Sequence, residues 1–163
     1  MTLKSLKSQI IAEEPRTLGD HLKRVRQERK VSQKAAAYIL GVDPATVLNW
    51  EKGKTEPPVK AMPAILRFLG YDPYPEPVTL RERILAKRRA MGWTIGEAAA
   101  ELGVDPTTWR DWEHGKVILL RKHRAMVATL LGLDSDEFDA DMRARWNRQH
   151  GQEHATSAPN PSS

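Results

Sequence analysis

Residues 32–53 read SQKAAAYILGVDPATVLNWEKG, and this stretch decides the fold. Ser32 is placed to cap a helix by accepting a hydrogen bond from a free backbone N–H, and Gly41 can end it with a positive φ. Asp43 is expected to cap a second helix, with Pro44 at its first position, where a missing N–H loses no intrahelical bond. Two caps eleven residues apart leave one short helix and a three-residue turn, which is helix-turn-helix spacing. The apolar pattern agrees. Ala37 supplies a small residue for a steep helix crossing, with Ala36, Leu40, Val42, Val47 and Trp50 around it.

Gln33 opens the first of these helices, Ala37 and Gly41 stand at crossing and turn, and the segment ends W-E-x-G-K as Trp50, Glu51, Gly53 and Lys54. In these residues it resembles the helix-turn-helix of the phage repressor and Cro family, also called XRE-type. The resemblance extends from Thr17 to Asp72 and implies a five-helix DNA-binding domain.

Upstream, Leu18, Leu22 and Val25 recur at helical period after the plausible cap Thr17, among Lys23, Arg24, Arg26, Arg29 and Lys30. Downstream, Thr55 to Pro58 reads as a loop and Val59 to Leu69 as a closing helix ended by Gly70. Pro63 should bend that helix or mark where it becomes regular. About 55 residues make a small core, so the two-helix motif must borrow burial from these flanking helices. Residues 1–16, an N-terminal arm, carry Leu3, Leu6, Ile10 and Ile11 at near-helical spacing with lysines between them, and read as a short docking helix, a basic arm along DNA or a frayed terminus.

Residues 73–78, PYPEPV, favour an extended spacer, at roughly 3.1 Å per residue a reach of about 19 Å. Beyond it the chain repeats itself. A shift of sixty-two residues aligns Thr17–Asp72 with Thr79–Asp134 without a gap, and about a third of the positions are identical. Leu80, Ile84 and Arg88 return at the places of Leu18, Leu22 and Arg26, LGVDP recurs at 102–106, and Trp112, Glu113, Gly115 and Lys116 repeat the ending. Such register marks two tandem copies of one module. Residues 135–150 add a helix with Phe138, Met142 and Trp146 spaced by four, expected to cover the second module or join two chains. The Ser/Pro/Asn-rich residues 151–163 read as a disordered tail.

A helix fits the major groove of B-DNA, and base edges are met by its face opposite the core. With Val47 and Trp50 inward, Ala45, Thr46, Leu48 and Asn49 are left, with Pro44 leading. The resemblance implies that Pro44, Ala45 and Asn49 read bases and that Gln33 contacts a phosphate. Thr46 can donate to another phosphate. An amide at Asn49 can bond adenine N6 and N7 together, Ala45 and Leu48 can press on a thymine methyl, and Lys52 and Lys54 can neutralise phosphates. The second copy departs: Ile95 replaces Gln33, Asp111 replaces Asn49, and Trp93 and Trp109 replace Val31 and Val47. It offers Thr107, Thr108, Arg110 and Lys116, while Asp111 is repelled by phosphate unless it accepts from cytosine N4. The resemblance further implies that Arg26 with Glu51, and Arg88 with Glu113, are structural ion pairs.

The 163 residues carry a formal charge of +5, which fits a polyanionic partner, and no cysteine, which excludes disulfides and thiolate chemistry and fits a reducing cytosol. No apolar run approaches the roughly 20 residues that span a bilayer. His150–His154, HGQEH, matches the H-x-x-E-H zinc-protease pattern, but Gly151 lies between the ligands and no scaffold follows to supply a third. His21, His114 and His123 are read as scattered over basic surface. No phosphate-binding glycine loop or catalytic carboxylate pair is present, so the expectation is a protein without enzymatic activity, metal or cofactor.

The reading is an all-α protein of two tandem five-helix repressor-like modules plus a C-terminal helix, acting in the cytoplasm. It would bind double-stranded DNA sequence-specifically and regulate transcription, with a homodimer as one arrangement and no membrane partner. The rival is an antitoxin-like or adaptor protein whose second module and C-terminal helix bind a protein, motivated by Ile95, Asp111 and the Phe138/Met142/Trp146 stripe.

Overall fold

The computed structural model describes residues 14–116 and 119–150, apart from the side chains of 141, 145, 146 and 148–150 in the last helix. The sequence expectations for residues 1–13, for Trp146 as part of the apolar stripe, for HGQEH and for the tail lie outside the described residues. Among those described there is no strand. The order is α1 (Leu18–Glu28), α2 (Gln33–Leu40), α3 (Pro44–Glu51), a 3-10 turn (Val59–Ala61), α4 (Met62–Leu69), α5 (Leu80–Met91), α6 (Ile95–Glu101), α7 (Pro106–Glu113), α8 (Arg121–Leu131) and α9 (Ser135–His150). The chain divides into two compact units: one runs to Val78 and includes Ala86–Thr94, the other takes Thr79–Leu85 and the chain from Ile95.

In the first unit α1 starts in a reciprocal cap. The Asp20 N–H donates to Thr17 Oγ1 at 3.1 Å, and the Thr17 N–H donates to Asp20 Oδ2 at 2.9 Å. Ser32 Oγ accepts from the Ala35 N–H at 3.1 Å, and Gly41, at φ 70°, ends α2 in the left-handed conformation. Leu22, Val25, Ala36, Ala37, Leu40, Val47, Trp50, Met62, Ile65, Phe68 and Leu69 form one buried cluster. Burying a large aliphatic or aromatic side chain stabilises by about 1.5–3 kcal/mol, so this cluster holds the short helices that could not persist alone. Pro63 falls in the first turn of α4, where its missing N–H is harmless, and the turn at Val59–Ala61 precedes it. Among the described residues the first unit shows four α-helices before the proline stretch, with this 3-10 turn ahead of the fourth. That stretch, 73–78, is without helix, and the Arg89 guanidinium lies 3.6 Å from the centroid of the Tyr74 ring.

In the second unit the cap recurs, with the Thr79 N–H donating to Glu82 Oε2 at 2.9 Å and the Glu82 N–H to Thr79 Oγ1 at 3.3 Å. Its buried residues are Ile84, Ala98, Ala99, Leu102, Trp109, Trp112, Leu119, Val127, Ala128 and Phe138. The C-terminal helix α9 packs on α8: Phe138 is buried, and Arg124 Nη1 lies 3.5 Å from Asp139 Oδ1. Positive-φ residues recur along the chain at one spacing. Lys30 and Gly92, Gly41 and Gly103, Gly53 and Gly115, and Gly70 and Gly132 are each sixty-two residues apart.

Candidate nucleic-acid interface

The interface begins with how α3 is held. Gly19 lies on α1 where a Cβ would meet the Trp50 carbonyl oxygen at 2.0 Å, so only glycine lets α1 approach the end of α3 so closely. Across the same junction Arg26 Nε donates to Glu51 Oε1 at 2.6 Å and Nη2 to Glu51 Oε2 at 2.9 Å, while Nη1 donates to the Val31 carbonyl at 3.1 Å. Gln33 Nε2 donates to Glu51 Oε2 at 2.9 Å. One carboxylate therefore ties the C-terminal half of α1 and the start of α2 to the end of α3. Burial works to raise the Glu51 carboxyl, and the hydrogen bonds from Arg26 and Gln33, with the Arg26 and Lys23 charges, outweigh it and hold it below its ordinary value. The hydrogen bond to Glu51 raises Arg26 correspondingly.

With Val47, Trp50 and Glu51 buried, α3 turns its other side outward. Pro44 and Ala45 are exposed, Thr46, Leu48 and Asn49 are half-buried, and Lys52 and Lys54 are exposed just past the helix. The Lys54 N–H donates to the Asn49 carbonyl at 2.9 Å, which holds the following turn against the helix. Gln33 is half-buried and one amide hydrogen is committed to Glu51, so the second is the one left for a phosphate. Asp43 requires a correction. It has the extended backbone of a cap, φ −73° and ψ 149°, but its side chain makes no capping bond.

On α7 the cap does form, with the Thr107 N–H donating to Asp105 Oδ1 at 2.7 Å. Thr107, Arg110 and Lys116 are exposed and Thr108 and Asp111 half-buried. Trp109 is fully buried, its ring centroid 6.0 Å from that of Trp112, and its Nε1 donates to Glu113 Oε1 at 2.7 Å. Arg88 Nη1 donates to the Trp93 carbonyl at 3.0 Å, as Arg26 does to Val31.

The three histidines expected on open basic surface are engaged instead, His114 Nδ1 lying 2.7 Å from the Arg110 carbonyl oxygen. His21 Nδ1 is 2.7 Å from the Tyr71 hydroxyl, which also accepts from Arg24 Nη2 at 3.1 Å; burial and the Arg24 charge lower the His21 pKa. His123 packs edge-on to Trp112 with ring centroids 5.2 Å apart. Among the described residues no group of three or more His, Asp or Glu side chains is placed to hold a metal ion, and no helix is long and apolar enough to cross a membrane.

Residues 22–74 match a helix-turn-helix family model, HTH_3, of the XRE type. The class this defines is a DNA-binding regulator, and the first unit carries its DNA-binding domain. No curated protein and no solved structure matches the chain.

Proposed function

We propose that the chain is a sequence-specific regulator of transcription in the cytoplasm that lays α3 in the major groove of double-stranded DNA. The observation that carries this reading is the outward side of α3, with Pro44, Ala45 and Asn49 accessible and Lys52 and Lys54 exposed just past the helix, on a scaffold fixed by Arg26, Glu51 and Gln33. In this reading Asn49 pairs with an adenine, Ala45 and Leu48 meet a thymine methyl, and Gln33, Thr46, Lys52 and Lys54 hold phosphates.

In this reading residues 79–134 are a second copy of the module. Support comes from the shared spacing of the positive-φ residues, the repeated Thr17/Asp20 and Thr79/Glu82 caps, and α7 lying sixty-two residues after α3 at both ends. Its Arg110 would take guanine, Thr107, Thr108 and Lys116 would meet backbone or bases, and Asp111 would accept from cytosine. One such module contacts only about 600–1,000 Å², so a tethered second module, or a second chain on a palindrome, would supply the missing affinity. The adaptor alternative loses part of its motive, since Phe138 of the proposed partner stripe is buried within its own unit.

Selection of bound duplexes from random DNA with the full chain, followed by footprinting, tests the proposal. A defined motif is expected, and Asn49→Ala should relax choice at one position by about 1–3 kcal/mol while leaving the others intact. Equal weakening on the selected site and on random DNA would remove Asn49 from base reading. Absence of any enriched motif would overturn sequence-specific binding.

A further inference from the structure

The first unit has a second concave feature, on residues that belong to none of the α3 positions. A cavity of about 230 Å³ is lined by Arg29, Val31, Ile39, Ala64, Arg67 and Phe68. Beside it Tyr38 is 90% exposed and Ile39 57% exposed, on an eight-residue helix whose remaining apolar residues, Ala35 excepted, are buried. A lone exposed apolar residue is ordinary, but Ile39, exposed in the lining of this cavity with Tyr38 exposed next to it in the chain, makes a patch that water covers at a cost.

Its charged lining has one sign: Arg29 and Arg67 line the cavity, and no carboxylate does. Arg29 is already fixed: it donates to the Phe68 and Leu69 carbonyls, and its guanidinium lies 5.4 Å from the Phe68 ring centroid. Arg67 is exposed and makes no hydrogen bond or ion pair among the described residues. Val31, Ile39 and Ala64 line it beside Phe68, whose ring already faces the Arg29 guanidinium, which suits a branched side chain better than a flat base.

We propose that this groove docks an acidic, aliphatic segment of a protein partner, one leucine- or isoleucine-like side chain entering the cavity and a neighbouring carboxylate meeting Arg67. Because the groove shares no residue with the outward side of α3, the chain would hold this partner and DNA together.

The test uses the full chain, immobilised, and a display library of random dodecapeptides. The selected pool is expected to carry Leu or Ile flanked by Asp or Glu. A synthetic peptide from it should lose at least about tenfold in affinity on Arg67→Glu and on Ile39→Arg, and bind Asn49→Ala as it binds the parent chain. Both positions are exposed, so thermal unfolding near that of the parent serves as the folding control, with Tyr38→Ala as the replacement should Ile39→Arg fail it. A pool without acidic residues, or affinity unchanged in these variants, overturns the proposal. So does displacement of the peptide by single-stranded oligothymidylate, or a self-paired chain in sedimentation that Ile39→Arg dissolves.

Discussion

The two units solve one packing problem in different ways. In the first, Gly19 lets α1 press against the end of α3, Val47 fills what space remains, and the Glu51 carboxylate receives both Arg26 and Gln33. In the second, Arg81 stands at the place of Gly19 with its stem beside Gly115, the much larger Trp109 stands at the place of Val47, and Trp109 itself donates to Glu113. Ile95, at the place of Gln33, has no donor to offer that carboxylate. Backbone features survive this exchange: caps, turns and left-handed residues keep their spacing while the side chains between them change size and polarity. Conformation is set by a few backbone constraints, and the faces between them are free to take other tasks.

The contrast can be broken most severely at Glu51. Glu51→Ala would strand the Arg26 guanidinium, whose side chain is only 14% exposed, and should cost the first unit about 3 kcal/mol, the low end of the buried-pair range because some solvent still reaches Arg26. Amide hydrogen exchange resolved along the chain should show the loss in α1 to α4 and leave α7 and α8 unchanged. At the next level, Gly19→Ala should cost about 1–3 kcal/mol, since the new methyl must displace the Trp50 carbonyl, whereas Arg81→Ala should stay within about 0.5 kcal/mol in the same measurement.

Acid sharpens the comparison further. The folded Glu51 carboxyl titrates below the ordinary glutamate value of 4.5, so as pH falls the unfolded chain takes up the proton first. The pair's contribution is complete above that value and disappears as pH falls through the lower folded one. Urea midpoints of the first unit measured down this range should drop, and Glu51→Gln should flatten that part of the curve. The smallest effect is expected from Gln33→Ile, which installs the residue found sixty-two positions later. DNA affinity should fall about equally on the selected site and on random DNA, with the salt dependence unchanged because an amide carries no charge.

Much of the scaffold could be read from the chain because it depends on local chemistry. Ser32, Gly41 and Pro44 act on their own backbone, and the sixty-two-residue register needs no partner to be seen. The Arg26–Glu51 pair came from resemblance and the geometry bears it out. What depended on distant neighbours was hidden: Gln33 bonding Glu51, His123 lying against Trp112, and the partial burial of Leu48 and Asn49. Asp43 failed as a cap although its counterpart Asp105 succeeds, a difference of side-chain rotation that composition does not encode. Gly19 did leave a signal. A glycine inside a strongly helical stretch lowers helix propensity by about 1 kcal/mol and usually has a packing reason.

Lys30 holds φ 55°, a geometry that its counterpart Gly92 adopts with a hydrogen in place of a side chain. An L-residue there sacrifices about 1–2 kcal/mol, against which lysine restrains the unfolded chain by about 0.4–1 kcal/mol relative to glycine. The first unit thus carries a small residual tension at the hinge between α1 and Ser32. Its melting temperature is accordingly not at its ceiling, and one atom-scale simplification at that hinge is where an engineer seeking a sturdier version of this domain would begin.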